Sequence, residues 1–325
     1  MTSSITQWHW LVALLAPYHA SPYNGGVSRG GQGGAAMKAE LVQCKTSDGV
    51  ALDGAFFEAA GTAPKERAVD AFLLMHGSSG NYYNKLLLSV GEGLREAGYP
   101  SASFNNRGHD LVWGQPGNLM GNSFDILDFC RLDIRACIDW LASRGYKRVG
   151  LFGHSMGAVK VAYYQAREKD SRVGAVVSSS PVRLSHSYFM GSEAASEHKE
   201  NVEWARSMVE KGQPEALRAV NFPMPHLFGA KAYLDKHGPE ERYNLMRHVR
   251  DIKCPLLMMA GSKEDHPRLR DCARDMYGLV NETGRARLII QEGADHGYTG
   301  MLDKLTYNVV GWVRGLEGAK AGTRR

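Results

Sequence analysis

The chain has 325 residues, 43% of them hydrophobic and 22% charged, a balance typical of a globular protein of enzyme size. Its net charge of +5 is spread along the chain, which argues against nucleic acid as a partner because phosphate binding needs a concentrated basic surface. Five cysteines, an odd number with no Cys-x-x-Cys pair, favour neither a disulfide framework nor a zinc ribbon. We therefore expect a reduced, cytoplasmic protein.

The first 36 residues differ in composition from the rest of the chain. The apolar run at 8–16 is shorter than the roughly 20 residues of a membrane span, and no Lys or Arg precedes it as in a signal peptide. The glycine-rich stretch at 24–36 is typical of a flexible linker. Residues 1–36 are predicted to be a flexible or mis-started extension, with secretion through the apolar run left open.

Hydrophobic periodicity predicts alternating strands and helices from residue 37 onwards. A Ser-Asp-Gly turn at 47–49 joins the first two strands, and Ser123 is the predicted N-cap of the longest helix. In chain order the predicted elements are strands 38–46, 50–58 and 69–75, helix 86–97, strand 101–105, helix 124–144, strand 148–152, helix 158–167, strands 173–178 and 255–260, helix 269–277, strand 286–291 and helix 302–316.

This alternation predicts an α/β fold with a mostly parallel central sheet flanked by helices. The opening hairpin predicts antiparallel strands at one edge. Between the strands at 173–178 and 255–260 only helical pieces are found, at 200–211 and 240–250. The predicted organisation is therefore a core of residues 37–181 and 254–318, a helical cap at 182–253 and a C-terminal tail at 319–325.

The sequence Gly-His-Ser-Met-Gly at 153–157 lies between a predicted strand and a predicted helix. So tight a turn forces its central residue, Ser155, into a strained backbone conformation, and the small residues on both sides remove the clash. The hydroxyl is then exposed beside a helix N-terminus, whose dipole favours developing negative charge. Ser155 is therefore the predicted nucleophile.

A serine hydroxyl needs a base, and His296 is the histidine best placed to be one. It follows the last predicted strand, so it lies at the same edge of the sheet as Ser155. The third residue of such a catalytic triad should be a carboxylate that orients the imidazole. The loop after the strand at 255–260 offers two neighbouring acids. Asp265 is predicted because a shorter side chain gives a stiffer hydrogen bond, with Glu264 as the alternative.

These features resemble those of the α/β-hydrolase superfamily across residues 37–316. The resemblance rests on the pentapeptide at Ser155, on the chain order of nucleophile, acid and histidine, and on the His76-Gly77 turn after an early strand. The sequence at 106–109 is also similar to the Asp-x-Arg-Gly-x-Gly loop of that superfamily, with departures at the first and last positions.

The resemblance implies further site residues. The oxyanion-hole amides would be the backbone N–H groups of Ser78 and Met156. The acid of the superfamily usually lies three residues after a glycine such as Gly261, which is Glu264 here, so the resemblance weighs against Asp265.

The predicted reaction is hydrolysis of a small to medium carboxylic ester through an acyl-enzyme, without a cofactor. No His-Glu-x-x-His or comparable spacing favours a catalytic metal. An amidase, peptidase, thioesterase or acyltransferase would use the same triad, and a non-catalytic binding protein on this scaffold is a further alternative. A small-molecule ester is the expected partner, with no membrane span and the oligomeric state left open.

Aromatic residues are frequent in the predicted cap, and most of them are expected to form its own small core. A cap over the sheet edge must nevertheless face Ser155 with part of its surface, and ligand pockets have largely apolar walls. The residues predicted to line such a pocket are Tyr188, Phe189, Phe222 and Phe228.

Overall fold

The computed structural model describes residues 38–60, 67–115 and 118–322, and the first of its elements is a hairpin. The predictions for residues 1–36 and for the last three residues of the tail lie outside these ranges. The first elements are β1 (Glu40–Lys45), β2 (Ala51–Phe57), β3 (Ala71–Met75), α1 (Lys85–Glu96), β4 (Ser101–Phe104), β5 (Trp113–Gln115), β6 (Asn118–Met120), α2 (Cys130–Ser143), β7 (Val149–His154), α3 (Met156–Glu168) and β8 (Val173–Ser179).

The second half of the chain contains an insertion and then returns to the sheet. Single 3-10 turns lie at Leu127–Phe129, Leu245–Arg247, Val249–Asp251 and Asn281–Thr283. The remaining elements are α4 (His186–Met190), α5 (Ala195–Glu210), β9 (Leu217–Val220), β10 (His226–Gly229), α6 (Ala230–His237), β11 (Leu256–Gly261), α7 (Pro267–Arg270), α8 (Cys272–Gly278), β12 (Ala286–Gln291) and α9 (Leu302–Gly322).

Eight strands form one sheet in the order β1-β2-β4-β3-β7-β8-β11-β12. Strand β2 runs antiparallel to its neighbours β1 and β4, and the other neighbouring pairs are parallel. The predicted α/β fold with a mostly parallel central sheet is confirmed. Because β3, β7, β8, β11 and β12 all end at the same edge, the loops that follow them gather there, where ligands of open α/β sheets bind.

Helices cover both faces of the sheet, which explains why β3 is apolar throughout. Leu73 and Met75 pack on the face covered by α2 and α3, whereas Phe72 and Leu74 pack on the face covered by α1 and α9. All four side chains are fully buried. Burial of each contributes about 1.5–3 kcal/mol. The sequence of a strand that is buried on both faces is a continuous apolar run, without alternation of apolar and polar residues.

Several helix boundaries differ from the sequence prediction. The helix predicted from residue 124 starts as a 3-10 turn and becomes α-helical only at Cys130. Ser123 does not cap it, because its hydroxyl instead donates to the carbonyl of Leu227 at 2.6 Å. At the other end of the chain, α9 continues to Gly322, so residues 319–322 of the predicted tail are helical.

The predicted helical cap at 182–253 is only partly helical. It contains an antiparallel hairpin of β9 and β10, and the helix predicted at 240–250 is replaced by two 3-10 turns. Both ends of this stretch pack with the main core, through Val182 and Leu184 before α4 and through residues after α6. The residues of the insertion that form a separate apolar cluster are Val202, Ala205, Val220, Phe228, Ala230 and Tyr233.

Among the residues that the structure describes, no helix has both the length and the apolar character that crossing a bilayer requires.

Candidate active site

Ser155 lies in the turn between β7 and α3 with φ 58° and ψ −120°. A positive φ is strained for a residue with a side chain, and such strain persists only where the surrounding structure fixes it. The two glycines of the pentapeptide hold the turn in place because neighbouring backbone packs directly against them. A Cβ on Gly153 would overlap the backbone of Gly157, and a Cβ on Gly157 would overlap the carbonyl oxygens of Met75 and His76.

The histidine predicted from the sequence reaches this serine. His296 Nε2 lies 2.9 Å from Ser155 Oγ, and His296 Nδ1 lies 2.9 Å from Glu264 Oε2. The three side chains come from the loops after β7, β11 and β12, which end at the same edge of the sheet. Since Glu264 accepts from Nδ1–H, Nε2 is left free to accept the serine proton.

The acid that contacts His296 is Glu264, and the prediction of Asp265 is wrong on this point. The Glu264 side chain is fully buried, whereas Asp265 is exposed. The Glu264 carboxylate turns back over the end of its own strand, where Oε1 accepts from the N–H of Gly261 at 2.9 Å. The orientation of the acid is therefore fixed by hydrogen bonds to its carboxylate and not by a short side chain.

Glu264 is held in its ionised form by its partners. Burial alone would raise the pKa of this carboxyl, but the hydrogen bond and charge of His296, the Ser180 hydroxyl and the Gly261 N–H together lower the pKa below its ordinary 4.5. Ser180 Oγ donates to Oε1 at 2.7 Å. A buried carboxylate is stable only with such full hydrogen bonding, and it can then stabilise a protonated imidazole.

Several supporting residues were not predicted from the sequence. Tyr298 Oη lies 3.1 Å from the hydroxyls of both Ser179 and Ser180, and so extends the network behind Glu264. His154, which precedes the serine, donates from Nε2 to the carbonyl of His296 at 2.7 Å. Burial, with the nearby His296, lowers the pKa of His154 to about 4, so it serves as a neutral donor that holds the histidine loop.

The loop after β3 passes directly beside the serine. A Cβ on Gly77 would lie 3.0 Å from Ser155 Cβ, so only glycine allows this approach without displacing the serine. Met156 is the first residue of α3, and the first N–H groups of a helix have no partner within it. Ser78 follows Gly77 in the same turn. The assignment of oxyanion-hole amides to Ser78 and Met156 stays a prediction.

A buried polar chain leads away from this loop. His76 Nδ1 donates to the carbonyl of Gly77 at 2.8 Å, so its Nε2 accepts from the backbone N–H of Asn106 at 3.2 Å. Lys160 Nζ donates to Asn106 Oδ1 at 2.8 Å and to Asp125 Oδ2 at 2.9 Å. A lysine within the otherwise apolar face of α3 was the one sequence signal of this network.

The four predicted pocket residues lie in three different surroundings. Phe228 is buried within the apolar cluster of the insertion itself. Phe189 and Phe222 stack edge to face with ring centroids 5.0 Å apart, and Phe222 also lies 6.2 Å from the ring of His266, two residues after Glu264. Tyr188 is half-buried beside Arg183. Whether these rings line a pocket stays a prediction.

Residues 72–304 match the family described as "Alpha/beta hydrolase family", which is well over half of the chain. The chain belongs to the alpha/beta hydrolase family. The sheet order, the strained serine after β7 and the loop positions of Glu264 and His296 are consistent with that membership. No curated protein matches the chain at a significant level.

Solved structures share the alpha/beta hydrolase fold with this chain at low sequence identity. The Pyrococcus furiosus esterase Pf2001 has a TM-score of 0.58 at 18% identity, covering 86% of this chain and 92% of that one. Est1E from Butyrivibrio proteoclasticus, with ferulic acid bound, has a TM-score of 0.59 at 17% identity, covering 86% and 100%. The alpha/beta hydrolase GrgF from Penicillium sp. sh18 has a TM-score of 0.62 at 15% identity, covering 86% and 99%. These similarities concern the fold alone.

Proposed function

We propose that this alpha/beta hydrolase family member is a serine hydrolase that cleaves carboxylic esters through an acyl-enzyme. The hydrogen-bond chain from Ser155 through His296 to Glu264 carries the proposal, with both donor–acceptor distances at 2.9 Å. Nucleophile, base and orienting acid within hydrogen-bond reach are the signature of covalent acyl transfer. That Pf2001, which shares the fold, is an esterase supports an ester as the substrate.

The acylation step begins when Ser155 Oγ attacks the ester carbonyl carbon while His296 Nε2 takes the hydroxyl proton. Glu264 stabilises the imidazolium that forms, and the backbone N–H groups of Ser78 and Met156 bind the oxyanion of the tetrahedral intermediate. The intermediate then collapses. Its bond to the alcohol oxygen breaks, and His296 gives the proton to that oxygen, which leaves an acyl group on Ser155 and a free alcohol.

The deacylation step uses the same groups with water as the nucleophile. His296 removes a proton from water as the water oxygen attacks the acyl carbonyl, and the bond to Ser155 Oγ breaks in the collapse of the second intermediate. The proton returns from His296 to Ser155, and the carboxylic acid is released. No cofactor takes part in this scheme.

The nucleophile is tested by Ser155→Ala, assayed with p-nitrophenyl esters and with a fluorophosphonate probe. We expect kcat/KM to fall at least about 10⁴-fold with the fold intact, and we expect the probe to label Ser155 in the wild type only. The control is Ser143→Ala, which removes a surface hydroxyl bonded to the carbonyl of Trp140. Labelling of a different serine, or full activity of the alanine variant, would overturn the proposal.

The acyl or alcohol group of a small to medium ester is proposed to lie against Phe189 and Phe222, next to the loop that carries Glu264. A panel of p-nitrophenyl esters, matched anilides and thioesters separates esterase from amidase and thioesterase activity. Addition of a competing alcohol, with ester products analysed, separates hydrolysis from acyl transfer. Turnover of the anilides above that of the esters would replace the ester proposal by an amidase.

A further inference from the structure

A buried arginine without a partner lies four residues after Glu264. Arg268 is only 6% exposed, and its Nε is buried with no hydrogen-bond partner. Of the residues that the structure describes, none brings a carboxylate within ion-pair distance of Arg268. Two arginines nearby are compensated: Arg183 pairs with Asp275, and the exposed Arg270 pairs with Asp271. Of these three arginines, Arg268 is therefore the one without a carboxylate partner.

A second unpartnered polar group lies close to the first. His237, at the end of α6, is 2% exposed, and its Nδ1 is buried without a hydrogen-bond partner. Burial, followed by the charges of Lys236 and Arg268, keeps the pKa of His237 far below its usual range. The ring of Phe189 joins this histidine to Phe222, which lies beside His266, and His266 Nδ1 accepts from the backbone N–H of Arg268 at 3.2 Å. Two neighbouring buried polar groups that lack hydrogen-bond partners indicate that a polar ligand supplies those partners when it binds.

Aromatic rings of the insertion connect these two groups to the loop that carries Glu264. Rings from the insertion, Phe189 and Phe222, lie 6.1 Å from His237 and 6.2 Å from His266 respectively. Four residues of extended chain span at most about 14 Å, which limits the backbone distance from Glu264 to Arg268. The negative charge of Glu264 raises the pKa of Arg268. The oxygens of Glu264, however, already accept hydrogen bonds from His296, Ser180 and Gly261.

Two cations act on this place, and one of them, Lys236, already faces a carboxylate, with its Nζ 3.5 Å from Asp125 Oδ2. Burial, partly offset by Cys272, Tyr188 and Glu264, lowers the pKa of Arg268 to about 10, so the guanidinium is still protonated at neutral pH. Burial lowers the pKa of His237 and of His266, so both imidazoles are neutral there. One unpaired cation among apolar rings matches a monoanion, and a carboxylate fits the fork of a guanidinium in a bidentate manner.

We propose that Arg268, with His237 beside it, binds a free carboxylate of the substrate, so that the preferred esters are half-esters of dicarboxylic acids or other esters with an acid group. This inference rests on the proposed ester hydrolysis at Ser155 and adds the substrate class. Leaving a guanidinium buried and unpaired is costly in the empty enzyme, and the substrate carboxylate removes that cost only when it is bound. The site thereby discriminates against neutral esters of the same size.

The kinetic test compares mono-p-nitrophenyl glutarate with p-nitrophenyl pentanoate, which differs by a methyl group in place of the carboxylate. We expect the wild type to prefer the glutarate ester, and Arg268→Met to lower kcat/KM for that ester about 10- to 100-fold more than kcat/KM for the neutral ester. Arg268→Lys, which keeps the charge without the fork, should retain part of the preference. Arg270→Met is the matched control and should change neither rate.

A binding measurement separates this inference from the proposed function. Calorimetry of Ser155→Ala with glutarate should show binding that disappears in the Ser155→Ala, Arg268→Met double variant, whether or not any ester is hydrolysed. Arg268→Met should melt at or above the wild-type temperature, because an unpaired buried charge has been replaced by an apolar chain. The carboxylate site would be overturned if glutarate did not bind, or if inorganic phosphate bound more strongly than glutarate. It would also be overturned if Arg268→Met lowered kcat/KM equally for both esters and lowered the melting temperature.

Discussion

At the scale of single residues, the hydrogen bond from His296 to Glu264 favours Glu264 over Asp265 as the acid of the proposed triad. Glu264→Gln keeps the size of the side chain but removes the negative charge that orients and stabilises the imidazolium. We expect kcat/KM for a p-nitrophenyl ester to fall about 10³- to 10⁴-fold. Asp265→Asn, one residue further along the loop, changes an exposed side chain and should leave kcat/KM within about twofold. A larger loss in Asp265→Asn than in Glu264→Gln would contradict this assignment.

The sequence predicted two of the three residues of the proposed triad because each of them occupies a distinctive position in the chain. Ser155 occupies a strand-to-helix turn that only a glycine-flanked residue can form, and His296 follows the last strand of the sheet. The residues alone did not separate Glu264 from Asp265, which are neighbours on the same loop, and only the spacing from Gly261 that the resemblance implies indicated Glu264. The choice depends on the Gly261 N–H and on the Ser180 hydroxyl at the end of a different strand. Contacts between strands distant in sequence are not encoded in any local pattern.

At the scale of whole elements, the insertion shows where local patterns are insufficient. Strands β9 and β10 have four residues each, and the loop between them contains two prolines, which argue against a strand in sequence-based reasoning. Their pairing is stabilised by packing of Val220 and Phe228 into the cluster of the insertion. The helix predicted at 240–250 failed because Tyr243, Leu245 and Val249 turn into the main core instead.

The buried charges that join α3, α6 and the segment before α2 give an element-scale prediction. Asp125 accepts from Lys160 at 2.9 Å and lies 3.5 Å from Lys236, and all three side chains are nearly inaccessible. Asp125→Asn would leave two buried ammonium groups without a counter-charge. We expect the free energy of unfolding in urea to fall by about 3–5 kcal/mol, because breaking a buried ion cluster leaves uncompensated charge.

The control for this prediction is an exposed pair on α5. Lys199→Met removes the i,i+4 ion pair with Glu203, and we expect a loss of at most about 0.5 kcal/mol. Adding Lys236→Met to Asp125→Asn should restore part of the lost stability, since one of the unpaired charges is removed. Losses of similar size at Asp125 and Lys199 would show that the buried cluster contributes no more than a surface pair.

At the scale of the whole molecule, the sheet was predictable because most of its inner strands are apolar runs that alternate with amphipathic helices. The hydrophobic pattern predicted each strand of the eight-stranded sheet within two residues at either end. The distribution of buried ionisable groups was not predictable, because burial of a histidine depends on which elements meet around it. His76 lies behind the loop after β3, His154 beside the triad, and His198 and His226 in the insertion.

These four histidines make the stability of the whole molecule depend on pH. Burial lowers the pKa of His76 to about 3 and, with charged neighbours, the pKa of His154, His198 and His226 to about 4, against 6.5 in an unfolded chain. Between about pH 6.5 and 4 the unfolded chain binds protons that the folded protein does not. The contribution of these groups is therefore complete above pH 6.5 and decreases as the pH falls. Urea unfolding at pH 8, 6 and 5 should give progressively smaller free energies of unfolding.

His226 allows this pH dependence to be assigned to one residue. Its Nε2 lies 2.5 Å from Asn122 Nδ2, and burial followed by the charge of Lys236 lowers its pKa to about 4. His226→Gln replaces a titrating ring by an amide that can still bond to Asn122. At pH 8 the variant measures only the change in packing, whereas at pH 5 it also lacks one site at which the unfolded chain takes up a proton. The slope of unfolding free energy against pH should therefore correspond to about one proton fewer than in the wild type. An unchanged slope would show that His226 is protonated in the folded protein at the same pH as in the unfolded chain, and its burial would then make no contribution to the pH dependence.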